Sequence, residues 1–121
     1  MTDWRVEEVG NETRSRDINE WIAESNESSV TGAADPFVCE CSDSSCMSTI
    51  NLTHREYEEV RAHGTQFAIA RDHESPDLDL MVSERIGFTI VRKLPGLPAR
   101  LANASDPRRA GTETEEGVGD A

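Results

Sequence analysis

Apolar positions between residues 52 and 63 predict an amphipathic helix with a well-defined start. Thr53 and Glu56 have the spacing of a capping box, in which each side chain accepts a hydrogen bond from the other residue's backbone N–H. Leu52 and Tyr57 stand on either side of this box, at the positions of a hydrophobic staple. We therefore expect a helix over residues 54–63.

A second run of helical periodicity covers residues 12–25. Ile18, Trp21 and Ile22 recur at spacings of three and four residues, and charged residues occupy the opposite face. We expect this helix to pack on the domain with Trp21 covering the core, although the same apolar stripe could instead face a partner. Residues 1–11 are polar apart from isolated apolar positions, and we expect them to be disordered.

Alternating apolar residues predict four short strands. They cover residues 37–39, 48–52, 66–70 and 87–92, and polar residues or glycine separate them. The first two strands enclose a short turn rich in serine and aspartate that carries every cysteine of the chain. We therefore expect a hairpin with the cysteines at its turn.

The segment over residues 75–82 fits two periodicities. Ser75-Pro76 resembles a helix N-cap followed by proline at the first helical position, which favours a short helix. Leu78, Leu80 and Val82 alternate, which is typical of a strand. We expect the helix.

The pattern as a whole predicts an α+β fold, with a small antiparallel sheet, two or three short helices and a zinc-knuckle hairpin. The chain has 121 residues, enough for one domain, which we place at residues 12–101. Residues 102–121 carry few apolar side chains and several glutamates. We expect them to form a disordered acidic tail.

Composition and charge narrow the possible functions. The chain has 24 acidic and 12 basic residues, and its net charge is −12. Such a surface repels phosphate groups, so we expect no binding to nucleic acid. No apolar run approaches the ~20 residues of a membrane helix, and the first residues lack the features of a secretory signal. We therefore expect no membrane contact and a cytoplasmic location.

The candidate chemistry lies in the turn between the first two predicted strands. Cys39, Cys41 and Cys46 are spaced Cys-x-Cys-x4-Cys, and a short polar turn can fold three thiolates around one ion. The odd number of cysteines and the lack of a secretory signal argue against a structural disulfide. Redox-active thiols and inert buried cysteines remain alternatives. We predict a zinc site.

A tetrahedral zinc site needs a fourth ligand, and the chain has three histidines. His73 lies in a polar loop far along the chain, as expected for a segment that closes a site, and we favour it. His54, at the start of a predicted helix, and a water molecule are the alternatives. His63 is explained by its place at the end of that helix, where a positive charge is favourable. A Cys3His set would be closed and structural, whereas a bound water would leave an open site capable of catalysis.

The cysteine spacing resembles the short zinc segment that follows the catalytic domain of SET-type methyltransferases. In that segment three cysteines come from one turn and a fourth ligand comes from elsewhere. The likeness covers only Cys39 to Cys46 and concerns geometry, not activity.

Over residues 12–93 the chain resembles a family of small actinobacterial proteins. The shared motifs are Phe-x-Cys-Glu-Cys-x4-Cys, Leu-Thr-x-x-Glu-Tyr and His-Glu, which begin here at Phe37, Leu52 and His73. In that family a glycine usually precedes the histidine, whereas Asp72 does so here. The resemblance implies no activity, but it implies one ligand set, formed by Cys39, Cys41, Cys46 and His73.

Three functions are compatible with these features. We expect a small non-catalytic zinc-binding domain that acts in protein interaction or regulation with a protein partner. A thiol-based redox or metal sensor is the second possibility, and a metal-dependent hydrolase with Glu40 or Glu74 as general base is the third. The motifs of zinc deaminases, of His-Glu-x-x-His metalloproteases and of phosphate-binding loops are absent, which argues against an enzyme.

Overall fold

The computed structural model describes residues 3–25 and 32–108 and confirms the predicted α+β class. The expected acidic tail beyond residue 108 lies outside the described residues. Two antiparallel sheets are present in the described part, one with the order β1-β2 and one with the order β3-β5-β4. The elements are α1 (Trp4–Ser25), β1 (Asp35–Val38), β2 (Thr49–Leu52), α2 (His54–Arg61), β3 (Gln66–Ile69), β4 (Asp79–Glu84), β5 (Thr89–Lys93) and α3 (Leu97–Ala104).

Helix α1 begins earlier than the sequence predicted. It starts at Trp4, so the expected disorder of residues 1–11 is wrong from residue 4 onward, and the folded domain begins before residue 12. Val9, which looked like an isolated apolar residue, is only 1% exposed and belongs to an apolar cluster with Phe67 and Val91. Within the described part of the chain, no helix is both long enough and apolar enough to cross a membrane.

Polar and charged side chains dominate the buried face of α1. The fully buried guanidinium of Arg16 donates to the carbonyl groups of Gly64 and Ala102, at 2.7 and 2.9 Å, and lies 4.7 Å from the centre of the Phe67 ring. Trp21, expected to cover the core, is instead 68% exposed. The helix is rotated relative to the prediction because hydrogen bonds and ion pairs, rather than its large apolar residues, hold it in place. Its buried residues are Val9, Glu12, Thr13, Arg16, Asn19 and Ala23.

The hairpin and the helix that follows it agree with the prediction. β1 pairs with β2 in antiparallel register, with Phe37 opposite Ile50. The capping box is formed, because Thr53 Oγ1 accepts from the Glu56 N–H at 3.1 Å and Glu56 Oε1 accepts from the Thr53 N–H at 2.8 Å. The Tyr57 ring then stacks on Phe37 with centroids 4.8 Å apart. This stack lies in the core that joins the hairpin to α2.

The second sheet corrects one prediction. β3 and β5 lie where alternation placed them, but residues 75–82 do not form a helix. Residues 79–84 instead form β4, the edge strand that pairs with β5 through a bulge between Met81 and Ser83. Main-chain pairing with β5 outweighs the weak local helix signal of Ser75-Pro76, since short segments take the conformation that their neighbours allow.

A buried ionic group joins α1 to the second sheet. The Lys93 ammonium lies 2.6 Å from Glu12 Oε2 and also pairs with Asp79. Burial raises the pKa of Glu12 from 4.5 to about 7; Lys93 opposes this shift, and the Asp79 carboxylate adds to it. Two carboxylates therefore share one buried cation.

The segment after β5 closes the fold against α1 and α2. Arg61 forms ion pairs with Glu20 and Asp106, and Arg108 bridges Glu20 and Glu58 at 2.6 and 2.8 Å. These contacts hold the chain in place as far as residue 108. The folded domain therefore extends past the predicted boundary at residue 101.

Candidate metal centre

The structure brings together the four predicted ligands, Cys39, Cys41, Cys46 and His73. The first two follow β1, the third precedes β2, and the histidine lies in the loop between β3 and β4. One ligand atom from each residue lies within 4.8 Å of the other three. All three cysteines are free thiols. In the described ranges, no other group of three or more His, Cys, Asp or Glu side chains could hold an ion in this way.

The distances within this cluster fit a tetrahedral ion. His73 Nδ1 lies 3.5 Å from Cys39 Sγ and 3.6 Å from Cys46 Sγ. Tetrahedral zinc, with bonds of about 2.3 Å to sulfur and about 2.0–2.1 Å to nitrogen, separates these two atoms by about 3.6 Å. These two distances therefore match those of a tetrahedral site, and the four ligand atoms together lie within 4.8 Å of one another.

Side chains of the cysteine turn hold its shape. Asp43 Oδ1 accepts hydrogen bonds from the Ser45 N–H and hydroxyl, at 2.9 and 2.7 Å, and the Cys46 N–H donates to the Asp43 carbonyl at 3.0 Å. Asn11 of α1 donates to the Ser42 carbonyl at 2.8 Å. The serine and aspartate residues thus form the compact turn that the sequence predicted, and α1 anchors it.

A tight turn over residues 70–73 presents the histidine. The His73 N–H donates to the Ala70 carbonyl at 3.1 Å, and Asp72, the third residue of the turn, has a φ of 69°. This combination fits a type II turn, whose third position favours glycine. A glycine at this position would adopt the same conformation without strain. Asp72 makes no hydrogen bond to His73 within the described part of the chain.

Hydrogen-bond donors point at two of the sulfur atoms. The Ala70 N–H lies 3.1 Å from Cys39 Sγ. Burial nevertheless raises the pKa of the Cys39 thiol, and the neighbouring sulfurs add to this effect. Partial burial also raises the pKa of Cys46, but the N–H and hydroxyl of Ser48, with Cys41 and His73, bring it down to about 7. A divalent cation would supply the charge that stabilises all three sulfurs as thiolates.

Glu40 stands between two ligand cysteines, yet its side chain belongs to the core. In an extended Cys-x-Cys segment the middle residue points away from the cysteines. Oε1 of Glu40 accepts from the Ala68 N–H at 2.9 Å, and Oε2 accepts from Asn19 Nδ2 at 2.8 Å. Asn19 also exchanges two hydrogen bonds with the Val38 backbone. Glu40 and Asn19 thus tie the metal segment to α1 and β3. The alternation of Cys-x-Cys was visible in the sequence, but no local signal identifies Asn19.

The other two histidines lie away from the cluster. Nδ1 of His54 is buried without a hydrogen bond, and His63 is exposed after α2. Neither belongs to the group that could hold an ion. Among the described residues, His73 and not His54 therefore lies beside the three cysteines. His54 instead lines a small cavity with Ala23, Glu24, Glu58 and Arg108.

An open groove of about 320 Å³ borders the cluster, between α1 and the cysteine turn. Cys46 is half-buried, whereas Cys39 and Cys41 are each only 5% exposed. Cys46 is therefore the sulfur ligand that solvent reaches most easily. The groove is lined by Asn11, Arg14, Ser15 and Ile18 of α1 and by Val38, Cys39, Asp43, Ser44 and Cys46 on the other side.

No protein-family model, no curated protein and no solved structure matches this chain. The resemblance to the actinobacterial family stays a prediction. The geometry of the four ligands is the strongest evidence on function.

Proposed function

We propose that this protein is a small non-catalytic zinc-binding domain that acts through contact with another protein. The observation that carries the proposal is the convergence of three thiols and one imidazole within 4.8 Å. A bound ion would cross-link the β1–β2 hairpin to the loop after β3, which belongs to the other sheet. Small domains with modest apolar cores often depend on such a metal for folding.

The donor set favours Zn²⁺ over other common ions. Three cysteines and one histidine form a frequent ligand set of structural zinc. Mg²⁺ and Ca²⁺ prefer oxygen ligands, so this cluster suits them poorly. Iron–sulfur clusters use four cysteine ligands as a rule, and the chain has three cysteines.

Closed coordination argues against the hydrolase alternative. Four protein ligands fill a tetrahedral shell and leave no position for an activated water. Both oxygens of Glu40 accept hydrogen bonds, from Asn19 and Ala68, so this carboxylate is not free to act as a general base. A structural role for the ion follows.

The surface supports the protein-contact part of the proposal. The net charge of −12 disfavours contact with nucleic acid or with acidic membranes. Ile18 and Trp21, one turn apart on α1, expose 50% and 68% of their surface, so both apolar side chains are accessible to a partner. A reducing compartment would keep the three thiols available for an ion, and we propose a cytoplasmic location for this reason.

Metal content of the wild type and two histidine variants tests the proposal. Protein purified under reducing conditions should contain one zinc per chain by native mass spectrometry. His73→Ala should lose most of the metal because it removes one of four ligands. His63→Ala, the matched control at an exposed position, should keep it. Wild type loaded with Co²⁺ should show the intense visible absorption of a tetrahedral thiolate site.

Two results would contradict the proposal in different ways. Metal-free wild-type protein would mean that the four side chains share protons instead of an ion. Equal zinc in both variants would assign the fourth position to His54 or to water, and the hydrolase alternative would return.

A thiol-based redox or metal sensor is the second candidate, and the position of Cys46 favours it. Cys46 is the least buried of the three cysteines and lines the open groove together with Cys39, so we expect an oxidant to react with Cys46 first. Peroxide would oxidise the thiolate to a sulfenic acid and be reduced to water, and the ion would lose a ligand. A colorimetric chelator should then report zinc release under mild peroxide. Retention of zinc under these conditions would exclude sensing.

A further inference from the structure

A lysine and two carboxylic acids meet in the interior between α1 and the second sheet, away from the metal centre. The side chains of Lys93, Glu12 and Asp79 are each at most 2% exposed. Lys93 Nζ also lies 5.2 Å from the centre of the buried Phe67 ring. We call Lys93, Glu12 and Asp79 the buried triad. Its three charged groups are shielded from bulk water and lie next to one another.

The two acids contact the lysine in different ways. Glu12 Oε2 accepts a hydrogen bond from Lys93 Nζ at 2.6 Å. Asp79 Oδ1 also contacts Nζ, but outside hydrogen-bond geometry, and it accepts no hydrogen bond from any residue that the structure describes. The other oxygen of Asp79, Oδ2, accepts a hydrogen bond from the Ser75 N–H at 2.8 Å. The nitrogen thus faces a carboxyl group that is held in place and whose nearer oxygen is not hydrogen bonded.

Strand pairing brings the lysine and the aspartate together. Lys93 of β5 and Asp79 of β4 are directly opposite one another in the antiparallel pair. The Leu94 N–H donates to the Leu78 carbonyl at 2.7 Å and closes the pair beside them. Opposed residues have Cβ atoms about 4.5–5.5 Å apart, a span that a lysine and an aspartate side chain can bridge. Two groups held at such proximity react far faster than the same groups free in solution.

We propose that Lys93 and Asp79 form an intramolecular isopeptide bond, with Glu12 as the group that transfers protons. A proton first passes from the Lys93 ammonium to the Asp79 carboxylate, which gives two neutral groups, and these cost less to bury than two ions. Nζ then attacks Cγ of Asp79 and forms the N–C bond. The Cγ–Oδ1 bond breaks, Oδ1 leaves as water and Oδ2 stays as the amide oxygen. The reaction needs no oxidant, reductant or co-reactant.

Glu12 is suited to the proton transfer. Its Oε2 can take a proton from Nζ as the N–C bond forms, and the carboxyl group can return one to Oδ1 as water leaves. Its Oε1 is buried and makes no hydrogen bond to a described residue. Burial raises the pKa of Glu12 to about 7, so its protonated and ionised forms are both present near neutral pH. The product replaces the charges of Lys93 and Asp79 by one neutral amide, which removes the cost of burying both ions.

Mass spectrometry of the full chain under denaturing conditions tests the proposal. The bond lowers the mass of the chain by one water molecule. Trypsin does not cut after a lysine whose amine is acylated, so a digest should contain residues 72–85 joined to residues 93–100 as one branched peptide. The variants are Lys93→Arg and Glu12→Gln, with Glu7→Gln as the matched control at an exposed position of the same helix. Circular dichroism verifies that each variant keeps its fold.

The wild type and Glu7→Gln should each be lighter than their sequences by one water molecule and should yield the branched peptide. Lys93→Arg should have its full mass. Glu12→Gln should stay largely at full mass, since loss of a general acid–base slows a reaction by about 10²–10⁴-fold.

Four results would contradict the inference. A wild type at full mass would overturn it, as would a loss of water that survives Lys93→Arg. A branched peptide that joins residues 93–100 to residues 6–14 would mean that the lysine is bonded to Glu12 and not to Asp79. An unchanged loss of water in Glu12→Gln would refute proton transfer by Glu12.

Discussion

Replacement of Asp72 by glycine should stabilise the turn that presents His73. Asp72 has a φ of 69°, a conformation that costs a residue with a side chain about 1–2 kcal/mol and that glycine adopts freely. Glycine loses more backbone freedom on folding, which offsets about 0.5–1 kcal/mol of this gain. Asp72→Gly should therefore raise the free energy of unfolding by up to about 1.5 kcal/mol.

Urea titration and thermal denaturation of the metal-loaded protein measure this gain. A change of 1 kcal/mol moves the Tm of a domain of this size by about 4–8 °C, so Asp72→Gly should raise the Tm by up to about 12 °C. Asp77→Gly is the matched control, because Asp77 is exposed in a nearby turn and its φ is not positive. The control removes the same charge and adds the same backbone freedom, so it should be neutral or destabilising.

The comparison separates the turn geometry from simpler effects. A loss of stability in Asp72→Gly as large as that in Asp77→Gly would refute the left-handed conformation at Asp72. An equal gain in both variants would instead assign the effect to charge removal from a protein with a net charge of −12. Only a gain confined to Asp72→Gly supports a strained turn before the histidine.

Two further predictions concern close packing and buried charge. Gly87→Ala should lower the free energy of unfolding by about 1–3 kcal/mol, because a Cβ there would lie 2.7 Å from the carbonyl oxygen of Asn51. Gly10→Ala, in α1, should raise the free energy of unfolding by about 0.5–1 kcal/mol, because a Cβ there would lie 3.9 Å from its nearest neighbour atom. A loss of equal size in both variants, measured by thermal denaturation, would contradict this reasoning. Glu12 should also make a contribution to stability that falls as the pH rises from 4.5 to about 7, because the folded residue, with its pKa raised to about 7, keeps a proton that the unfolded chain releases near 4.5. In urea titrations across this range, the free energy of unfolding of the wild type relative to Glu12→Gln should therefore fall, whereas relative to Glu7→Gln, at an exposed position, it should stay constant; a constant difference for Glu12→Gln would mean that Glu12 ionises normally.

The sequence predicted the features whose physical cause lies within a few neighbouring residues. Thr53 and Glu56 satisfy each other's backbone N–H, so the start of α2 follows from four consecutive residues. The cysteine turn is equally local, because its polar residues hold their own shape. His73 is the exception, a distant residue that the structure places in the cluster. It could be chosen because few side chains bind zinc and the chain has three histidines.

The predictions that were wrong depend on contacts between distant parts of the chain. Charged residues are rarely buried, so the charged face of α1 was expected to face solvent and Trp21 to face the core. Arg16 is buried because the carbonyl groups of Gly64 and Ala102, 48 and 86 positions along the chain, accept its hydrogen bonds. The strand β4 was missed because the local helix signal of Ser75-Pro76 was preferred to the alternation of Leu78, Leu80 and Val82, whereas pairing with β5 decides the conformation. Long-range hydrogen bonding, rather than a local sequence signal, decided both cases.

The spacing of the four ligands along the chain has a consequence for biosynthesis. Cys39, Cys41 and Cys46 are close in sequence, whereas His73 lies 27 positions after Cys46. The three sulfurs are therefore synthesised before the histidine, and they leave the ribosome ahead of it. Closing the short cysteine loop costs less entropy than closing the longer one, so an ion can be captured by the sulfurs first. The metal would then stabilise the nascent hairpin. The turn after β3 would add His73 as the fourth ligand to an ion already bound by three sulfurs.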